Sequence, residues 1–332
     1  MEAALSSIPI GVVAIGRNEG ERLERCLKSV VGEGRRVVYV DSGSTDNSLE
    51  IARSLGAEIV ELDLNIPFTA ARARNEGWRH LLSVEPKMEF VQFLDGDCEL
   101  VDSWMKQAFA ALTADSGLAV VCGRRRERFP EASAYNLLCD IEWETPVGQA
   151  DACGGDAMMR VSALHAVDGF NDRVIAGEEP DLCFRLRADG WSIERLDGEM
   201  TLHDAAMTKV SQWWQRSRRA GHAYAGNLRR HREANFHIGE VRSALVWGWI
   251  LPLTIMLLAI VAHPLALLAF GIYPLQVVRV AKHLTATYPK RVHRERLLYA
   301  LSCVAGKLPQ ALGVFAEGRS FKRGKVELIE YK

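Results

Sequence analysis

Short apolar runs alternate with helix-spaced apolar positions from residue 8 to residue 122. Residues 10–15, 37–40, 59–62, 90–94 and 118–122 read as buried strands, and polar residues close each of them. Between the first two, Leu23, Leu27 and Val30 recur at helical spacing, with Asn18 placed to cap that helix. Residues 48–55, 69–82 and 105–112 read as further helices. Strands alternating with helices imply right-handed crossovers and a mostly parallel sheet, an α/β fold with flanking helices. In such sheets ligands bind outside the carboxyl ends of the strands. Asp41, Asp95 and Asp97 all fall at expected carboxyl ends.

The pattern then changes. Residues 208–232 read as a basic helix carrying Trp213, Trp214, Arg216, Arg218, Arg219, Tyr224, Arg229 and Arg230, the composition of a membrane-interface helix. From residue 243 to residue 278 there is no Asp, Glu, Lys or Arg. One straight helix of that length would exceed the hydrocarbon of a bilayer, and Pro252, Pro264 and Pro274 interrupt it. The expectation is a hairpin: one membrane segment over 244–262, a turn at His263-Pro264, and a shorter segment over 265–278. Arginines before the run, and Arg279, Lys282, Lys290 and Arg291 after it, place both ends in the cytosol. Lys307 and Pro309 in the middle of 297–315 favour an interfacial helix there over a third span. The chain is therefore expected to divide into a catalytic domain (1–207), an interface helix (208–242), a membrane hairpin (243–279) and a cytosolic or interfacial C-terminal segment (280–332).

Composition narrows this little. Apolar residues are 48% and charged residues 25% of 332, as in globular proteins, and the formal net charge of −1 gives no global field for nucleic acid. Seven cysteines without a C-x-x-C pair read as reduced thiols in a cytosol-facing protein. Residues 1–7 lack a basic region followed by an apolar signal-like run.

The candidate chemistry centres on Asp95-Gly96-Asp97. Side chains two apart on an extended chain point the same way, so both carboxylates can converge on a hard divalent cation that also holds phosphate oxygens. Gly96 would let a ligand approach the backbone; the alternative is a plain turn after a strand. Asp41 can accept hydrogen bonds from a base or ribose, or cap its own turn. Arg72 and Arg74, the latter the better candidate, can add positive charge near a diphosphate, or be solvated. Glu178 and Glu179 are a candidate base and its neighbour, or caps of the helix over 181–188.

Val13-Ala14-Ile15-Gly16-Arg17-Asn18-Glu19, Val40-Asp41-Ser42-Gly43-Ser44-Thr45-Asp46, Ala73-Arg74-Asn75-Glu76-Gly77, Leu94-Asp95-Gly96-Asp97 and the acidic segment from Gly177 to Leu186 follow one another in the order found in family 2 glycosyltransferases of the GT-A fold. The chain resembles their membrane-attached bacterial type over about residues 8–203. The resemblance implies inverting transfer from a nucleotide-diphosphate sugar. The donor would be held by Ala14, Gly16, Arg17, Glu19, Asp41, Gly43, Arg74, Asn75, Asp95 and Gly96, and a divalent metal (Mg2+ or Mn2+) by Asp97 and His203. It puts Glu179 at the base position, where the family more often has Asp, with Glu178 beside it. Gly154, Gly155 and Asp156 resemble the acceptor loop, and Trp213 and Trp214 are further acceptor candidates. Gln212-Trp213-Trp214-Gln215-Arg216 has the ingredients of the processive motif in another order, which favours transfer of single sugars. With the basic helix between the catalytic motifs and the uncharged run, the expected acceptor is lipid-linked, a polyprenyl-phosphate type of glycan. The enzyme would sit on the cytoplasmic membrane, facing the cytosol and touching membrane lipids. Two alternatives stay open: a sugar-phosphate nucleotidyltransferase, although the Gly-rich N-terminal phosphate loop is absent, and a non-catalytic nucleotide-sugar-binding membrane protein.

Overall fold

The structure is a computed structural model that describes residues 10–32 and 34–323. Residues 8 and 9, at the expected start of the domain, and the N-terminal residues 1–7 lie outside the described residues. The chain divides into two compact units: Met1–Arg128 with Trp143–Ala205, and Phe129–Glu142 with Ala206–Lys332. Nothing in the composition marks residues 129–142 as leaving the first unit.

The first unit begins β1 (Ile10–Gly16), α1 (Glu21–Lys28), β2 (Val37–Asp41), α2 (Ser48–Ser54), β3 (Glu58–Glu61), α3 (Ala70–Val84), β4 (Phe90–Asp95). These strands are parallel neighbours in the order β3-β2-β1-β4, with Gly16 opposite Asp41 and Ile15 opposite Asp95. Val12, Val13, Tyr39, Phe93 and Leu94 are wholly buried, as apolar strands covered on both faces must be. The order reverses at β1, since β2 lies on one side and β4 on the other. The carboxyl ends at this switch point are where an α/β sheet leaves a crevice.

The chain continues with β5 (Cys98–Leu100), α4 (Trp104–Ala114), β6 (Leu118–Glu127), α5 (Ala134–Glu142) of the second unit, β7 (Gly148–Gln149), β8 (Ala157–Arg160), α6 (Val161–Ala166), α7 (Glu178–Ala188) and β9 (Ser192–His203). The nine-stranded sheet runs β3-β2-β1-β4-β8-β6-β9-β5, with β7 on β9. It is mixed beyond β4: β8 is antiparallel to β4 and β6, and β5 is antiparallel to β9, while β6 and β9 are parallel. The β5–β9 pairing sets Cys98 opposite His203 and so brings the end of β9 back to the end of β4.

Asn18 does not cap α1. It takes a left-handed φ of 57° and accepts from Thr45 N at 2.7 Å, while its own N–H donates to Ser44 Oγ at 2.9 Å. Ser48 Oγ accepts from Glu19 N and Gly20 N, at 3.2 and 3.1 Å, in the loop just before α1, whose N-cap residue is Gly20. Asn18 thus stitches the loops after β1 and β2 together at the crevice.

The second unit contains α5, α8 (Val210–Arg230), α9 (Ile238–Leu245), a π turn (Val246–Ile250), α10 (Leu251–Val261), a 3-10 segment (Pro264–Gly271), α11 (Ile272–Thr287), α12 (His293–Ala305) and α13 (Lys307–Arg323). Among the described residues, three stretches are long and apolar enough to cross a membrane: Ile238–Val261, Pro264–Thr287 and His293–Lys322. The helix bounds differ from the expected ones. The second stretch continues through Arg279 and Lys282 to Thr287, so it is not short. Residues 238–242, assigned to the interface helix, open the first stretch. The stretch around 297–315 is part of a helix pair long enough to span, since Lys307 and Pro309 begin α13 and Pro309 falls in its first turn, where no intrahelical N–H is needed. Pro252 is accommodated by the wider π turn before it. Ile260 and Leu268 are 79% and 75% exposed, an apolar surface of the kind that lipid covers.

Helices α8 and α13 meet through glycines. A Cβ on Gly221 would lie 2.0 Å from Gln310 O, and one on Gly313 would lie 2.0 Å from Arg218 O. Backbone must shift to admit either methyl. We expect Gly221→Ala and Gly313→Ala each to destabilise the unit by about 1–3 kcal/mol, read as a lower melting temperature in detergent. Gly318→Ala, with open space at its Cβ, serves as the neutral control.

Candidate active site

The crevice is lined by an alternating chain of charges. Arg74, on the buried face of α3, donates through Nη2 to Asp95 Oδ1 at 2.7 Å and through Nη1 to Glu178 Oε1 at 2.9 Å. Arg125, near the end of β6, donates to Asp95 Oδ2 at 2.9 Å and through Nε to Asp156 Oδ2 at 2.8 Å. Burial would raise the Asp95 carboxyl, but Arg74 and Arg125 on either side outweigh it and hold the group well below the usual carboxylate range. The sign follows: a carboxyl whose folded pKa is depressed stabilises fully above its unfolded pKa, about 3.9, and that stabilisation is lost as pH falls toward the folded value. Asp95→Asn is therefore expected to flatten the fall in melting temperature below about pH 4, with little change in slope at neutral pH.

Asp97 and His203 form a second group. His203 Nε2 lies 3.3 Å from Asp97 Oδ2, and its Nδ1 faces Glu127 Oε2 at 3.5 Å. Burial pushes the imidazole pKa down against the pull of Glu127, which keeps the ring neutral near pH 7. A carboxylate and a neutral imidazole at this spacing, with a carboxylate behind the ring, fit a divalent cation of the Mn2+ class. Trp143 stacks edge-on against His203 with centroids 4.6 Å apart, and the Arg125 guanidinium lies 5.3 Å from the Trp143 ring.

Glu179, in the first turn of α7, is buried and accepts from Cys153 N at 2.5 Å and from Cys183 Sγ at 3.0 Å. Both contacts fall on Oε1. Gly155 lies against the charge chain, since a Cβ there would be 2.6 Å from Asp95 Oδ2 and 2.8 Å from Arg74 Nη2. A glycine is needed for the Cys153–Asp156 loop to cross the crevice this closely.

Several expected ligand residues are occupied by their own surroundings. Asp41 accepts from Tyr39 OH at 3.0 Å, Gly43 N at 2.9 Å, Ser44 N at 2.8 Å and Ser44 Oγ at 2.5 Å, so its carboxylate shapes the loop after β2. Asn75 donates to Phe170 O and Asp172 Oδ1, each at 2.6 Å, and accepts from Trp78 Nε1 and Phe170 N, each at 3.0 Å; its amide is fully used in holding the 170–172 loop. Asp156 is wholly buried and accepts from Asp95 N at 2.9 Å and Thr201 Oγ1 at 2.8 Å besides Arg125, which makes it a support beneath the crevice. Arg72 donates to Asp63 O and Ile66 O at 3.0 and 2.9 Å. Gly96 is packed against β1: its N–H donates to Ile15 O at 2.8 Å, and a Cβ there would meet that oxygen at 3.1 Å. Ala14 is buried inside β1, Gly16 ends it, Arg17 lies over Phe68, Glu19 pairs with Arg22, and Gly43 holds a positive φ under Leu64. Gly154, also at positive φ, is exposed. Trp213, whose Nε1 donates to Ser302 Oγ at 2.9 Å, and Trp214 belong to the second unit.

Arg125, Glu127, Trp143 and Thr201 escaped the sequence reading. A signal for two of them exists. Arg125 and Glu127 stand two apart in a charged run that ends a strand, so they share a face.

Residues 12–166 match the profile of Glycosyl transferase family 2. Among curated relatives, "Glycosyltransferase AglE" of Haloferax volcanii is 23% identical over 202 residues, covering 57% of this chain and 64% of its own. "Beta-monoglucosyldiacylglycerol synthase" of Nostoc sp. PCC 7120 is 22% identical over 233 residues, covering 66% and 50%. The matches thus span half to under two thirds of these relatives' length. Among solved structures, the mannosyltransferase PcManGT from Pyrobaculum calidifontis, in complex with GDP-Man and Mn2+, superposes with a TM-score of 0.61 at 18% identity, covering 93% of this chain and 88% of that one. That likeness is one of fold. With the ordered motifs at the carboxyl ends of its strands, residues 12–166 form a glycosyl transferase family 2 domain, and the chain has the GT-A fold.

Proposed function

We propose that the protein transfers a sugar, with inversion, from a nucleotide-diphosphate donor to a lipid-linked acceptor hydroxyl, and needs a divalent cation to do so. The observation that carries this is the meeting of Asp97 and His203, 3.3 Å apart, just beyond the carboxyl end of β4 that Asp95 closes. Asp97 and His203 would hold the cation, with Glu127 fixing the imidazole so that Nε2 faces Asp97. When bound, the cation would supply Lewis-acid stabilisation of the departing diphosphate. Arg74 adds fixed positive charge, held in place by Asp95 and Glu178. Glu179 takes the acceptor proton; Cys153 N–H and Cys183 Sγ anchor Oε1, so Oε2 is the oxygen positioned for that transfer. One candidate base, with no second nucleophile assigned among the described residues, suits a single displacement.

The lipid acceptor is supported by three helices long and apolar enough to span, and by the name of the Nostoc relative, which contains a glycosylated diacylglycerol. Membrane attachment with the catalytic unit in the cytosol belongs to the same proposal, consistent with seven free cysteines. Arg216 and Arg229 pair with Glu142 and Glu317, so the positive charge that α8 can offer to lipid phosphates is smaller than its sequence implies. Incubation with a panel of radiolabelled nucleotide-sugars is expected to label an organic-extractable product from membranes. NMR of that product is expected to show the opposite anomeric configuration to the donor. Retention, or label only on water-soluble sugars, refutes the respective part.

A further inference from the structure

Cys153 and Cys183 lie side by side, Sγ to Sγ 3.6 Å, with Glu179 Oε1 3.0 Å from Cys183 Sγ. The three ligand atoms all fall within 4.8 Å of one another. Two thiolates on a tetrahedral zinc-class ion, each at about 2.3 Å, stand about 3.8 Å apart, so the pair is already at ligating distance. A carboxylate oxygen completes a three-donor set of the borderline-soft kind that thiophilic divalent ions prefer over Mg2+. The residues come from separate elements: Cys153 from the crevice loop, and Glu179 and Cys183 one turn apart on α7, a spacing that puts both on one face. Burial and neighbouring acidic groups push the Cys183 thiol up to about 11 and Cys122 nearby up to about 12. As protonated thiols they are poor targets for peroxide, which disfavours a simple redox switch. A bound divalent ion can displace the protons directly. Ala152 and Gly154, flanking Cys153, are exposed, which gives an ion a way in from solvent.

We propose that Cys153, Cys183 and Glu179 form a second, inhibitory metal site for a zinc-class ion, distinct from the Asp97–His203 pair. Its regulatory consequence rests on reading Glu179 as the base: an ion on Glu179 withholds the carboxylate from the acceptor, so low zinc silences transfer while Mg2+ or Mn2+ at the other site does not. Binding exchanges two thiol protons for one ion and involves no redox change.

The test uses full-length protein in detergent with excess Mg2+, and Co2+ as the spectroscopic probe. One equivalent of Co2+ is expected to give the thiolate-to-metal band and tetrahedral ligand-field bands. Cys153→Ser and Cys183→Ser are each expected to weaken Co2+ binding at least about 100-fold, beyond the 10–100-fold cost of losing an outer-shell partner. Cys98→Ser and His203→Ala should leave the thiolate band intact. Cys183→Ala repeats the test with a smaller side chain in case serine perturbs the fold. Absence of the band in wild-type protein, or its persistence in both cysteine variants, overturns the site. Zinc is further expected to inhibit wild-type transfer and to displace Co2+, with inhibition lost in the cysteine variants. If the band behaves as expected but zinc leaves turnover unchanged, the site stands and the reading of Glu179 as base falls. If zinc inhibits the cysteine variants equally, the inhibitory role is refuted.

Discussion

Glu179→Gln is expected to lower turnover by about 10²–10⁴-fold, the range for loss of a positioned general base, while donor affinity stays within about twofold of wild type. The amide keeps the shape of the side chain. Its oxygen can still accept from Cys153 N–H, the contact that fixes Glu179 against the crevice loop. It lacks only the basicity to take a proton from the acceptor. Single-turnover kinetics with radiolabelled donor measure the first quantity and calorimetry the second. Unchanged turnover would remove Glu179 from the mechanism and revive the non-catalytic binding alternative. Glu178→Gln provides the contrast: its carboxylate is tied to Arg74 at 2.9 Å, so it should affect donor binding more than proton transfer.

Asp97→Ala, or chelation of divalent cations, is expected to weaken donor binding by about 10²-fold or more, since an ion at a departing phosphate is worth several kcal/mol of charge stabilisation. Without a cation, Asp95 and Asp97 present two carboxylates to a donor diphosphate of the same sign. Arg74 and Arg125 cannot offset this alone, because both are already engaged by Asp95 and by Glu178 or Asp156. Calorimetric titration of nucleoside diphosphate with and without chelator reads the effect, and added Mn2+ should rescue the wild type but not Asp97→Ala. Glu127→Gln should fall between them, with cation affinity lowered about 10–100-fold, as for a partner that only orients a ligating imidazole. Donor affinity unchanged by chelation would remove the cation from the proposal.

Much of the fold was legible locally. Apolar runs ending in polar clusters marked β1, β2, β4 and β6, because a strand covered on both faces tolerates few polar side chains; β3, expected as a buried strand, lies at the sheet edge and is only partly covered. Asp95-Gly96-Asp97 was legible as a motif, but Gly96 and Asp97 form a turn and not an extended strand, so alternation does not place the carboxylates together: Asp95 joins Arg74 and Arg125, and Asp97 joins His203. The long uncharged stretch marked helices long and apolar enough to cross a membrane through its hydropathy alone.

What the tertiary structure decided is which polar atoms remain for chemistry, and how far helices run past their charges. Asp41, Asn75 and Asp156 stand out in the sequence by residue type and position, yet in the structure they hydrogen-bond to Tyr39 and Ser44, to the 170–172 loop, and to Arg125 and Thr201. Two of these three sets depend on partners tens of residues away, as with the 61 residues between Asp95 N and Asp156. Periodicity carries no record of such pairings. His203 reaches Asp97 only because β5 and β9 pair antiparallel, and Arg125 reaches Asp95 only because β6 enters the sheet beyond β8. Arg279 ended the expected second segment at residue 278, and Lys307 and Pro309 argued against a third, but a helix continues wherever its backbone hydrogen bonds and packing are met. A chain's pattern fixes which residues are apolar and which face they share; only long-range packing determines which donors and acceptors are already satisfied.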